Sequence, residues 1–115
     1  MKLVALAAIV AALVVPSAIA APSATTLVGT VGPGFTITLT KAGAKVSKLK
    51  AGTYLVKVTD KSNLHNFHLK GPGVNKTTTV PYKGTVTWKV TLKAGKYTIL
   101  CDPHATIMKG TFKVS

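Results

Sequence analysis

Thr85-Val86-Thr87-Trp88-Lys89-Val90-Thr91-Leu92-Lys93-Ala94-Gly95-Lys96-Tyr97-Thr98-Ile99-Leu100-Cys101 reads as two β-strands and the turn between them. Val86, Trp88, Val90 and Leu92 alternate with Thr87, Lys89 and Thr91, the period of a strand with one face in a core. Ala94-Gly95 marks the turn. Tyr97, Ile99 and Cys101 then share one parity. The second strand therefore ends with the sole cysteine of the chain pointing inward.

The same reading extends in both directions. Phe35-Thr36-Ile37-Thr38-Leu39-Thr40 alternates apolar residues with threonine, Tyr54, Val56 and Val58 share a parity, and so do Phe112 and Val114. Turn sequences separate these runs at Ala42-Gly43, Ala51-Gly52, Gly71-Pro72-Gly73 and Lys83-Gly84. Short strands at this spacing predict an all-β domain, a β-sandwich or small barrel. Beyond the N-terminal apolar run, no segment has an apolar stripe of helical period. Leu49-Lys50-Ala51-Gly52-Thr53-Tyr54 recurs as Leu92-Lys93-Ala94-Gly95-Lys96-Tyr97, a turn sequence used twice and too short for a repeat architecture.

The start of the chain reads differently. Met1-Lys2 precedes an apolar run from Leu3 to Val15, Pro16-Ser17 breaks it, and Ala18-Ile19-Ala20 has the small-x-small pattern of a leader-peptidase site. The run is short of the roughly 20 residues of a membrane span. Residues 1–20 are therefore expected to be a signal peptide, 21–34 an N-terminal segment and 35–115 the folded domain. The destination would be the periplasm, the cell surface or the medium. Absence of arginine excludes twin-arginine export, and absence of a cysteine near the cleavage site argues against a lipoprotein anchor.

Fifteen basic residues, all lysine, face two acids, Asp60 and Asp102, for a net charge of +13. Such a field steers toward anionic partners. Nucleic acid is not the expected one, because the lysines are scattered, aromatics are few and the chain reads as exported. Acidic redox proteins or an anionic cell surface fit better. Lysines also keep exposed strand edges from pairing, so part of the charge serves solubility.

A lone thiol in an oxidising compartment forms no internal disulfide and needs protection. Cys101-x-x-His104-x-x-x-Met108 suggests how it is held. Thiolate, imidazole and thioether on one short loop are a soft donor set that selects copper, and one more histidine completes a blue-copper set. Zinc sites rarely use methionine and prefer four strong ligands. A Cys–His hydrolase would need an orienting group and an oxyanion hole, neither legible in the sequence. Two histidines lie upstream. His65 shares parity with Phe67 and Leu69, whereas His68 does not, so His65 is the expected ligand and a bulge between them would favour His68. Asp102-Pro103 is expected to turn the chain so that His104 returns over the same point.

With these residues in place, the chain resembles the cupredoxins, in particular plastocyanin-like members. The matching pieces are His65-Asn66-Phe67, Gly95-Lys96-Tyr97, and Cys101-x-x-His104-x-x-x-Met108 followed by Gly110 and a last strand. The resemblance spans Phe35 to Ser115. It implies a Greek-key β-sandwich with one type 1 copper at one end. It further implies His65, Cys101 and His104 as strong ligands, Met108 as the long axial one, and Asn66 as a tie between the two ligand segments. The loop is one residue shorter between His104 and Met108 than in plastocyanins, which leaves the subfamily open. The acidic patches of plastocyanins are absent, so their partners do not carry over.

The expected function is one-electron transfer through Cu(I)/Cu(II) cycling, with no catalytic turnover of its own. By resemblance, the edge of His104 is the electron port, ringed by Gly32-Pro33-Gly34, Gly71-Pro72-Gly73, Val74, Ala105 and Ile107. The alternative is copper scavenging or delivery. Only Met1 and Met108 are methionines, however, and transport proteins often carry Met-rich or His-rich tracts. A metal-free sandwich that binds an anionic polymer is the third reading.

Overall fold

The computed structural model describes residues 2, 4–5, 7–13 and 23–115; the expected cleavage site after Ala20 lies outside the described residues. Ten strands follow one another: β1 (Thr25–Val31), β2 (Ile37–Lys41), β3 (Ala44–Lys45), β4 (Lys48–Leu49), β5 (Gly52–Asp60), β6 (His68–Gly71), β7 (Val74–Thr77), β8 (Gly84–Leu92), β9 (Gly95–Leu100) and β10 (Lys109–Val114). One sheet has the order β3-β2-β1-β5-β8, the other β4-β10-β9-β6-β7. Pairing is antiparallel except for β1 with β5 and β10 with β4. The all-β sandwich expected from alternation is the observed fold.

The core lies between the sheets. Leu27, Val31, Leu39, Tyr54, Val56, Val58, Val90 and Leu92 face inward from the first, and Leu69, Tyr97, Ile99, Phe112 and Val114 from the second. Threonines, lysines and Leu55 take the alternate, outward positions of β5 and β8, so burial follows the period of two that the sequence carries. The repeated turn also acquires a structural meaning. Tyr54 Oη donates to the Lys50 carbonyl at 2.6 Å and Tyr97 Oη to the Lys93 carbonyl at 2.8 Å. Each tyrosine, its body in the core, pins the turn four residues before it.

The sandwich begins before the expected boundary at Phe35. β1 lies between β2 and β5 and pairs with β5 along its whole length. Its alternation is broken in the sequence by Gly29, and the reason is steric. A Cβ there would lie 2.7 Å from the Phe67 ring, far inside contact distance. Phe67, fully buried, occupies that room. Phe35 itself precedes β2 and is 62% exposed, so the alternating run enters the sheet only at Ile37.

Candidate metal centre

β9 carries Cys101 to one end of the sandwich, and Phe67 carries His65 to the same end. The register His68↔Leu100 and Leu69↔Ile99 brings the two segments side by side. Residues 65–67 lie just before β6 and are all buried, so strict alternation stops there. Cys101 leads into a 3-10 turn, Asp102–His104, with Pro103 near its start. His104 N donates to Cys101 O at 3.0 Å, Met108 N to His104 O at 2.9 Å, and Cys101 N to Met108 O at 3.0 Å. These bonds close the loop on itself and satisfy backbone groups that a buried loop would otherwise orphan.

The fold thus brings three predicted residues to one point. Cys101 Sγ lies 3.7 Å from His65 Nδ1 and 3.6 Å from His104 Nδ1, and the two nitrogens are 3.1 Å apart. The point equidistant from all three is about 2.0 Å from each, the length of a metal–imidazole bond. Cys101 and His65 are buried and His104 is partly exposed. Met108 is buried at the far end of the same loop. His68 is not part of the group; it stands on β6, facing Asp102 and Asn75. Sulfur and two imidazole nitrogens fit copper, for which soft and imidazole donors are suited. Among the described residues, no carboxylate joins the group, which removes the hard donors that magnesium and calcium need.

Asn66 makes the tie expected of it. Its Oδ1 accepts from Asp102 N at 2.7 Å, and its Nδ2 donates to Asp102 Oδ2 at 2.6 Å and to Thr77 Oγ1 at 3.0 Å. The residue before Asn66 and the residue before Asp102 are thereby locked together, and these are His65 and Cys101. Burial alone would raise the Asp102 carboxyl. Hydrogen bonds from His68 and Asn66 and the charges of His68 and Lys70 outweigh it and hold the group below its ordinary value.

The second acid supports the same end from beneath. Asp60 is buried at the end of β5. Its carboxylate accepts from Ser62 N at 3.1 Å and from Thr78 Oγ1 at 3.3 Å, while Thr78 Oγ1 accepts from Phe67 N at 2.8 Å. Burial raises the Asp60 carboxyl, against the opposing effect of those two bonds and of the His65 charge.

The surroundings of His104 differ from the expected rim. Gly71-Pro72-Gly73 and Val74 lie at the other end of β9: Pro72 packs where a Cβ of Gly95 would go, and its carbonyl accepts from Tyr97 Oη. The β6–β7 hairpin runs away from Cys101, because β6 leaves the site as β9 approaches it. Gly32 is at the site, with its Cβ position 3.5 Å from His65 Cδ2. Phe35 supplies most of what the absent segment was expected to give. Its ring stands edge-on to both imidazoles, 5.2 Å from His65 and 5.0 Å from His104. Leu64, beside His65, and Ile107, in the ligand loop, are also exposed. Sequence reasoning missed Phe35 because it reads as the first apolar member of a strand. It missed Asp60 and Thr78 because their partners are distant in sequence.

No protein-family model matches the chain, and no curated protein matches it. Solved structures do. The copper protein rusticyanin is 22% identical over 81% of this chain and 80% of its own, with a TM-score of 0.59. An oxidized mutant of amicyanin is 18% identical over 78% of this chain and 82% of its own, with a TM-score of 0.51. A multi-copper oxidase from Pediococcus acidilactici is 17% identical over 86% of this chain but only 29% of its own, with a TM-score of 0.51. At these identities the likeness is one of fold: the chain has the cupredoxin fold that rusticyanin and amicyanin share.

Proposed function

We propose that this chain is an exported type 1 copper protein that carries single electrons. His65, Cys101 and His104 would be the strong ligands and Met108 the weak axial one. The observation that carries this reading is the triangle of Cys101 Sγ and two Nδ1 atoms, with edges of 3.1, 3.6 and 3.7 Å. Bound copper would supply a one-electron couple between Cu(I) and Cu(II).

The chain's own residues would do the rest. The Cys101 thiolate is committed and shielded from oxidation. Backbone bonds within the loop and the Asn66 tie hold the donors in place, which limits rearrangement on electron transfer. Phe35 keeps water off both imidazoles, and the partly exposed His104 offers the shortest way out. On this reading the protein transfers electrons and does not turn over a substrate of its own. The positive field favours brief docking to an acidic redox partner outside the cytoplasm.

The test is to add Cu(II) to the mature protein and record the visible spectrum, then to repeat with Cys101→Ser. An intense thiolate-to-copper band in the wild type, lost in the variant, is expected. A colourless protein that still binds copper would point instead to scavenging or delivery. Absence of copper binding would leave the metal-free, polymer-binding alternative.

A further inference from the structure

We infer that His68 is a positioning residue for the ligand loop, acting through the carboxylate of Asp102. The inference deepens the copper reading and rests on it for its consequence at the metal. The geometry itself stands apart from it. His68 Nδ1 lies 3.0 Å from Asp102 Oδ1 and 3.1 Å from Oδ2, and its Nε2 faces Asn75 Oδ1. Both ring nitrogens thus meet oxygen acceptors, one on the loop and one on the neighbouring strand.

Charge makes this pairing notable. The chain has fifteen lysines and two acids, yet the one basic side chain within 4.0 Å of a carboxylate oxygen among the described residues is a histidine, His68 beside Asp102. A lysine would neutralise the carboxylate from a flexible stem. An imidazole on a strand offers a donor in a fixed direction. Such a group adds orientation, which is what a loop carrying metal ligands requires.

The arrangement forms a closed frame. Asn66, which also bonds Thr77, holds Asp102 on one side, and His68, which also meets Asn75, holds it on the other. His68 and Thr77 are cross-strand partners in the β6–β7 hairpin. The start of β6 and the end of β7 thereby back the two side chains, Asn66 and His68, that reach the residue directly following Cys101. Asp102 N belongs to the peptide plane of the Cys101 carbonyl, so a shift of the Asp102 backbone would shift that peptide and the residue that carries Sγ. Asn66 alone fixes the backbone N–H and one carboxylate oxygen; His68 fixes the plane of the carboxylate.

The test compares His68→Leu, which removes both ring nitrogens, with His68→Asn, whose Nδ2 keeps a donor at the same remove from the backbone as Nδ1. In metal-free protein, amide exchange at Asp102 is expected to speed about tenfold in His68→Leu, in line with loss of a charge-assisted hydrogen bond. It should return to near the wild-type rate in His68→Asn, with β5 amides unchanged in both. In copper-loaded protein, His68→Leu should shift the thiolate-to-copper band and the reduction potential, and His68→Asn should restore them. Unchanged Asp102 exchange in His68→Leu, or equal effects of the two substitutions, would overturn the inference. Because exchange is measured without copper, a colourless wild type would sink the copper reading while leaving the exchange result to decide the role of His68.

Discussion

The Nδ1 atoms of His65 and His104 face each other at 3.1 Å, although 39 positions separate the residues in the chain. Two lone pairs cannot share that distance, so in metal-free protein one nitrogen carries the hydrogen that the other accepts. A metal held at this point needs both Nδ1 lone pairs, so that hydrogen must move to the other nitrogen of its ring, and the thiol proton must leave. Copper uptake is therefore expected to release protons, detectable with an indicator dye in weakly buffered solution. Tight uptake with no release would count against these three donors.

His65→Ala should abolish the thiolate-to-copper band and weaken copper binding at least tenfold, a loss of about 1.4 kcal/mol or more. His68→Ala should still bind one copper per chain, since His68 lies outside the donor group. Titration of both variants with copper checks this, and the reverse order would exchange the roles of the two histidines.

Phe35→Ala should leave the fold nearly intact, because the ring is mostly exposed. It removes two edge-on contacts to imidazoles, each of the order of 0.5–1.5 kcal/mol. Removal of copper by a chelator is expected to speed about tenfold. An unchanged rate would mean that Phe35 does not cover the site in solution.

Gly29→Ala should destabilise the protein. Alanine gains about 0.5–1 kcal/mol over glycine in a strand. The added Cβ, 2.7 Å from the Phe67 ring, forces a buried aromatic to move, at a cost of about 1–3 kcal/mol. Overpacking should win, and the urea midpoint should fall. Because Phe67 follows His65-Asn66, copper affinity should fall with it.

The two acids should affect stability with opposite signs. Asp102 is held below its ordinary value of 3.8, so it contributes stability above that value and loses it as pH falls through the folded-state pKa. Asp60 is raised above 3.8, so its contribution is present below 3.8 and is lost as pH rises through its folded-state pKa. Urea unfolding of metal-free Asp102→Asn should show a flatter acid limb than wild type. Asp60→Asn should gain on wild type as pH rises from 3.8 through the raised pKa. Parallel pH profiles for all three proteins would contradict these assignments.

Period-two alternation needs only neighbours in the chain. That is why β5, β8, β9 and β10, the inward side of Cys101 and the closed Cys101–Met108 loop were legible from residue order. β1 was missed because Gly29 empties one inward position, and the reason for that gap, the Phe67 ring, lies 38 residues away. Parity selected His65 over His68, but the segment around it leaves the ladder, so its approach to Cys101 depends on the register of β6 against β9. That same register sends Gly71-Pro72-Gly73 to the far end, and Phe35, from the loop before β2, stands over the imidazoles. It also turns His68, set aside as an outward residue, toward Asp102. The sequence by itself determined the alternating strands β5, β8, β9 and β10 and the kinds of donor atom, because both are properties of residues and their nearest neighbours. The tertiary structure decided which donors meet, what covers them and what holds them, because those are distances between segments that only strand pairing and core packing set.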